Sequence, residues 1–328
     1  MSEDPTDRSA ASPAGARISA DETGDYSGDQ GTSRRAAGPI TGLDVSTELR
    51  AAFADRYVLG EKLGHGGYGS VFRAHDTRLN RAVAVKVSWI HTSDQDRILR
   101  EARSLAQLRH PGIVTVYDVA VTRACCLVVS ELLAGPSLAK WLEANQPTPA
   151  EAARVVAAVA DALAHAHARS IVHRDVKPAN IVFADDRRPV LVDFGLALTD
   201  LDTEAEHGVV SGTPAFMSPE QAGGLGHRPD GRTDVYGLAA TLYAMLGGRP
   251  PFRGRAYLEV LRQVLEDDPQ PLRQIRPDVS PEVEQVCHRG MAKLPGDRYT
   301  TAADLAEALR RAAEPGPARA RPESPPTA

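Results

Sequence analysis

His173-Arg174-Asp175-Val176-Lys177-Pro178-Ala179-Asn180, followed downstream by Asp193-Phe194-Gly195, is the stretch on which the reading of this chain turns. Around it the periodicity is mainly helical. Apolar residues recur at helical spacing over 138–144, 149–168, 232–246, 257–266, 281–293 and 301–312, and short strands fall between the second and third of these segments. Asp234 opens an almost wholly apolar helix (Val235, Leu238, Ala239, Leu242, Met245, Leu246), the pattern of a buried central helix with an acidic first turn. Before residue 137 the period changes. Tyr57-Val58-Leu59, Ser70-Val71-Phe72-Arg73-Ala74 and Ala82-Val83-Ala84-Val85-Lys86-Val87 are β-branched runs separated by turns. One helical pattern follows, with Ile98, Ala102, Leu105 and Leu108 on a common face. Pro111-Gly112 stops it, and 113–117 and 126–129 read as two more strands. The fold class is therefore α+β, a small antiparallel-sheet lobe carrying one helix and then a larger, mainly helical lobe. There is no internal repeat.

In the sheet-rich part, Gly64-His65-Gly66-Gly67-Tyr68-Gly69 has the G-x-G-x-x-G spacing, which lets backbone N–H groups approach phosphate without a Cβ in the way. A dinucleotide site would need a helix directly after the glycines. Here Ser70-Val71-Phe72-Arg73 continues as strand, so the loop reads as a hairpin lid over phosphates; a plain structural turn is the alternative. Lys86, in an apolar strand on the same face as Ala84, must find a counter-charge or reach water. Glu101 poses the matching problem on the apolar face of the following helix. Each is best explained by the other, against the alternative of two half-exposed residues at the edges of their elements.

Taken in order, the glycine loop, the Val83-Ala84-Val85-Lys86 strand, the helix glutamate, His173 to Asn180 and Asp193-Phe194-Gly195 resemble the signature set of protein kinases. That resemblance implies the bilobal kinase fold over residues 57–311, with 57–133 as N-lobe and hinge and 134–311 as C-lobe. It also implies a role for each position. Asp175 is the catalytic base that orients the acceptor hydroxyl, and Lys177 neutralises the transferring γ-phosphoryl group. Asn180 and Asp193 are the metal ligands, for Mg²⁺ or Mn²⁺ beside ATP. Lys86 contacts the α- and β-phosphates and is held by Glu101. The loop from Gly64 to Ser70 covers the phosphates, and Leu63, Val71, Ala84 and Val182 sandwich adenine. Glu131 and Leu133 present hinge backbone groups to it. Ser130 takes the gatekeeper position before the hinge, either as a neutral packing variant or as the mouth of an enlarged back pocket.

Ser211-Gly212-Thr213-Pro214-Ala215-Phe216-Met217-Ser218-Pro219-Glu220 is similar to the end of a Ser/Thr kinase activation segment, with Ser218 where alanine is usual. It points to protein Ser/Thr acceptors. Glu220 would pair with Arg298, and Asp234 would bond the catalytic-loop backbone. Arg174, ahead of the base, implies a phosphate switch at Thr199, Thr203, Ser211 or Thr213 through autophosphorylation, with a homodimer as a candidate partner in trans. Asp200, Asp202, Glu204 and Glu206 could instead repel a phosphate and weaken that switch. Gly212 to Gln221 and Asp297 to Leu305 look like bacterial members, many of which add a membrane helix and sensor domain; here a lone kinase domain with tails is expected. The other candidate readings are a nucleotide-binding pseudokinase scaffold and a small-molecule phosphotransferase. The full set of polar catalytic positions disfavours the first, and Asp193-Phe194-Gly195 with Thr213 to Glu220 disfavours the second.

Bulk properties narrow the remaining classes. The 328 residues carry a formal net charge of −5 and 42% hydrophobic residues, enough for a substantial core and the wrong balance for phosphate-backbone affinity, so no nucleic-acid partner is expected. Cys125, Cys126 and Cys287 form an odd set without C-x-x-C spacing, which suits a reducing compartment. The N-terminus is acidic where a signal peptide is basic, and no apolar run is long enough to span a bilayer. A soluble, cytoplasmic protein with no membrane partner is expected. Residues 1–50 are poor in large apolar side chains and 314–328 are dense in proline, so both read as disordered tails.

Overall fold

The computed structural model describes residues 42–66, 69–89, 95–122, 124–194, 214–224 and 230–314. The N-lobe is a five-stranded antiparallel sheet in the order β1-β2-β3-β5-β4, from Tyr57–Gly66, Gly69–Asp76, Arg81–Trp89, Val116–Val121 (β4) and Cys125–Glu131 (β5). Alternation sorts its side chains. On β3, Val83, Val85 and Val87 are fully buried against Cys125, Leu127 and Val129 of β5, while Ala84 and Lys86 face the opposite side. Helix α2, Gln95–Ala106, packs against β4.

Two expectations are corrected here. Residues 42–50, read as part of the N-terminal tail, belong to an α-helix, α1 (Gly42–Phe53). Val45 and Leu49, one turn apart, are buried in the same cluster as Val83, Val85 and Val87, with Ala52 and Phe53 packed beside them. The helix therefore covers the sheet face turned away from Lys86. Residues 1–41 and 315–328 lie outside the described residues. The strand placed at 113–117 begins only at Val116. Ile113 makes an isolated parallel bridge to Leu191, and the N–H of Val114 donates to Leu191 O at 3.0 Å, stitching the lobes together.

The C-lobe is built on helix α4, Pro149–His167, and helix α6, Gly231–Gly247; α3 (Leu138–Leu142) precedes them, and α5 is the short turn Pro219–Ala222. Thr148 starts α4 with a reciprocal capping box to Glu151 and proline at the first position. Every side chain from Thr233 to Leu246 on α6 is buried, and Gly248 in the left-handed conformation (φ 65°) ends the helix. Around this pair pack α7 (Tyr257–Glu266), α8 (Leu272–Ile275), α9 (Pro281–Gly290) and α10 (Ala302–Ala313). Between α4 and α6 a two-stranded hairpin, β6 (Ile181–Phe183) and β7 (Pro189–Leu191), lies at the junction of the lobes. No helix among the described residues is long and apolar enough to cross a membrane.

Candidate active site

The hairpin β6–β7 sets the spacing of the polar groups. Asn180 precedes β6 and Asp193 follows β7, and the N–H of Val192 donates to the carbonyl of Asn180 at 2.9 Å, which holds the two residues side by side. The amide of Asn180 donates to both the carbonyl and the Oδ2 of Asp175, each at 2.8 Å, and Lys177 Nζ lies 2.8 Å from the same Oδ2. Asp175 is thus oriented by an amide and an ammonium group. Because Asn180 spends its Nδ2 on Asp175, its Oδ1 is left as an acceptor.

One buried carboxylate holds the loop beneath. Asp234, 1% exposed, accepts from the N–H of His173 at 2.8 Å and the N–H of Arg174 at 2.7 Å, and lies 2.7 Å from His167 Nε2. Two consecutive amides converge on one side chain because Arg174 takes a left-handed backbone, φ 67°. Such a conformation costs a non-glycine residue about 1 kcal/mol or more, here offset by charge-assisted hydrogen bonds. The imidazole of His173 lies with Nε2 2.9 Å from Val192 O, which can only accept, and Nδ1 accepts from the N–H of Asp175 at 3.2 Å. The Nε2–H tautomer is therefore the one that satisfies both ring atoms. Its ring meets Phe194 edge-on at 4.7 Å. On α6, a Cβ added at Gly237 would lie 2.7 Å from Val176 O, so glycine allows the central helix to approach the catalytic loop.

Lys86 Nζ is 3.2 Å from Asp193 Oδ1, which brings the strand lysine and the hairpin carboxylate together across the cleft. Asp193 also has a left-handed backbone, φ 63°. Glu101 lies on α2, but its side chain is outside the described residues, so the expected pair with Lys86 falls there too. Val71 lies directly opposite Lys86 in the sheet register, and Ala84 opposite Ser130. Val71, Ala84, Leu133 and Val182 are all half-buried, and Val182 lies between the buried Ile181 and Phe183, as residues lining an open cleft do. Glu131 ends β5, and Leu63 near the end of β1 is exposed. Behind Lys86 a cavity of about 50 Å³ is lined by Leu108, Val128, Ser130, Asp193 and Phe194 among others.

The glycine loop joins β1 to β2 as a hairpin: Gly64 pairs with Val71, His65 with Ser70 and Gly66 with Gly69. A strand follows the glycines, which removes the dinucleotide alternative. Gly69 has φ 135°, and a Cβ there would lie 2.0 Å from Val87 O, so no other residue fits. Gly67, Tyr68 and the side chain of His65 lie outside the described residues, as do Gly195, Thr199, Thr203, Ser211 and Thr213.

At the end of the activation segment, Arg298 donates to both carboxylate oxygens of Glu220, at 2.8 and 2.7 Å, and to the carbonyls of Ala292, Arg232 and Lys293. Burial alone pushes the Glu220 carboxyl up, but the Arg298 hydrogen bonds and charge outweigh it and hold the group below its ordinary value. A residue that sequence reasoning missed lies next to it. Gln221 caps its own helix through Ser218 and donates to the carbonyl of Arg174 at 2.7 Å, tying the activation segment to the catalytic loop. The Ser-x-x-Gln spacing is a capping-box signal, but the contact with Arg174 has no local signature.

The geometry agrees with the family comparison. The family model for the protein kinase domain matches residues 57–310. The chain belongs to the protein kinase domain family. It is 38% identical over 273 residues to the serine/threonine-protein kinase PknB of Mycolicibacterium smegmatis, a match covering 80% of this chain and 43% of that protein. It is 39% identical over 264 residues to PknB of Mycobacterium tuberculosis, covering 77% and 42%, and 38% identical over 291 residues to a probable serine/threonine-protein kinase of Corynebacterium efficiens, covering 83% and 44%. The chain thus spans less than half the length of these relatives. Membership of this family carries with it a nucleotide and a divalent metal in general terms.

Proposed function

We propose that the chain is a serine/threonine protein kinase that transfers the γ-phosphoryl group of Mg-ATP to Ser and Thr hydroxyls of proteins. The observation that carries this reading is Asp175, a carboxylate oriented by both Asn180 and Lys177 and anchored through Asp234 to the central helix. Phosphoryl transfer needs little covalent assistance; it needs an in-line nucleophile and neutralised phosphate charge. Asp175 accepts or orients the proton of the acceptor hydroxyl. Lys177, beside it, neutralises charge on the group in transit, and Lys86 holds the phosphates that stay behind. Leu63, Val71, Ala84 and Val182 clasp the base, with Glu131 and Leu133 as its hinge partners, while the loop from Gly64 to Ser70 closes over the phosphates. Asn180 Oδ1 and Asp193 fit a metal that takes few protein oxygens, Mg²⁺ or Mn²⁺, whose contribution when bound is to neutralise phosphate charge.

Wild type and Asp175→Asn, incubated with Mg-ATP and a generic protein substrate, test the proposal. Transfer to protein by wild type and a loss of about 10³-fold or more in the variant are expected, on the scale of removing an essential acid–base group. Nucleotide binding without transfer by wild type would overturn it in favour of a scaffold. We further propose autophosphorylation, in trans within a homodimer, at one of Thr199, Thr203, Ser211 and Thr213. Mass spectrometry after incubation with Mg-ATP is expected to find phosphate there; none on any of the four would reject the switch.

A further inference from the structure

Away from the catalytic loop, two imidazoles meet where the lobes join. His110 follows α2 and His165 lies on α4; their rings, both half-buried, are 5.1 Å apart and tilted by 40°. The N–H of Gly112 donates to His110 Nδ1 at 3.0 Å, so that ring atom keeps its lone pair and the imidazole is neutral. Gly112 in turn rests on α4, where an added Cβ would lie 3.0 Å from the Cβ of Ala162. Its carbonyl accepts from the N–H of Leu191 at 2.8 Å, the other half of the stitch made by Val114. Leu191 stands two residues before Asp193. A proton on His110 Nδ1 would therefore set two donors against each other at Gly112 and strain the strand that leads to Asp193.

His165 resists a proton for a separate reason. Its Nε2 is shut off from solvent and has no hydrogen-bond partner among the described residues, so charging it would bury a cationic N–H without an acceptor. The charged groups nearby do not compensate. Asp161, one turn back on α4, acts on His110 but is already bridged to Arg310 of α10. Arg169, past the end of α4, holds the carbonyl of His165 at 3.0 Å, and Arg188, in the β6–β7 turn, holds that of Pro111. Arg109 binds the carbonyls of Ala106 and Leu108. Burial lowers both imidazoles below their ordinary value; His165 lowers His110 further against the pull of Asp161, and Arg169 lowers His165.

We propose that the His110–His165 contact is an acid-sensitive joint between the lobes. Proton uptake by the pair drives the 110–112 turn off α4, undoes the Gly112–Leu191 bond and loosens the strand that presents Asp193 to Lys86. In the phosphotransfer reading, on which this rests, acid then slows transfer reversibly. Because both folded-state values are lowered, the unfolded chain takes up protons first. The stabilisation is complete above the ordinary 6.5 and is lost as pH falls through and below it.

Amide hydrogen exchange and urea unfolding of the full chain at pH 7.5 and 5.5 test the joint, with wild type beside His165→Phe and His110→Asn. Phenylalanine keeps a flat ring against His110, and the asparagine oxygen can replace Nδ1 as the acceptor for Gly112; neither titrates. Over this range each histidine kept neutral in the fold is expected to cost wild type up to about tenfold in its folding equilibrium constant, and each variant is spared the share of the residue it lacks. At pH 5.5 the Leu191 amide is expected to exchange at least about tenfold faster in wild type than in either variant, and at pH 7.5 at the same rate in all three. Equal pH dependence of exchange and stability in the three proteins would overturn the joint. So would transfer to a generic protein that falls by the same factor in all three on going to pH 5.5, because the pair would then not govern activity. No transfer by any of them at pH 7.5 would reject the kinase reading instead, and Leu191 exchange would still decide the joint.

Discussion

At the scale of single residues, the site combines short hydrogen bonds with left-handed backbone at Arg174, beside Asp175, and at Asp193. Ser130 is the residue whose role the fold sharpens. Its small side chain opens onto the cavity behind Lys86, where a longer one would fill the space shared with Phe194 and Leu108. An ATP analogue with a bulky apolar group on the adenine amine is expected to compete with ATP at wild type. Ser130→Met should weaken that competition at least about tenfold, about 1.4 kcal/mol, while sparing ATP itself. Steady-state inhibition constants decide the matter, and equal insensitivity of wild type to large and small analogues would end the idea. Most positions of this kind were legible in the sequence. Lys86 and Asp175 are polar groups in apolar or tightly spaced settings, and such settings constrain their partners. Gln221 was not legible, because its bond to Arg174 exists only once distant segments are folded together.

At the scale of elements, alternation made the N-lobe strands readable, and the strand pattern directly after the glycines marked the hairpin. Helix α1 was hidden for the opposite reason. Its apolar residues, Val45, Leu49, Ala52 and Phe53, follow a helical spacing, but the polar composition of the preceding stretch masks a pattern of barely three turns. Its stability comes from the sheet it covers. Leu49, 2% exposed, packs in the cluster of Val83, Val85 and Val87. Leu49→Ala is expected to destabilise the protein by about 2–5 kcal/mol in urea unfolding, the usual range for a buried leucine. A shift below about 0.5 kcal/mol would show that the helix contributes nothing to the lobe. The short run 113–117 misled for want of length: four or five apolar residues suit a strand or a bridge equally, and the pairing with Leu191 makes it a bridge.

At the scale of the whole molecule, the C-lobe is closed by an ion pair between segments far apart in the chain, Glu220 and Arg298. The Arg298 side chain is fully buried and that of Glu220 is 16% exposed, so removing the carboxylate strands a guanidinium in the interior. Glu220→Gln is expected to cost about 3 kcal/mol at pH 7. Because the folded-state value of this carboxyl lies below its ordinary 4.5, the stabilisation is complete above that value and is lost as pH falls through and below it. The gap between wild type and Glu220→Gln should therefore narrow as unfolding is repeated from pH 7 down to pH 4 and lower. A gap that stays constant across this range would assign the cost to packing and not to charge.

The convergence of two successive amides on Asp234 bears on how such an enzyme can be silenced. The hydrogens on His173 and Arg174 are locked to the buried core helix, so they should trade with solvent only when that helix opens. The base then has no cheap resting pose of its own. Losing its position and melting the lobe become one cooperative event. In the phosphotransfer reading, any reversible off state has to be made in parts that move independently of α6, by withdrawing Lys86 or the hinge from an Asp175 that stays poised.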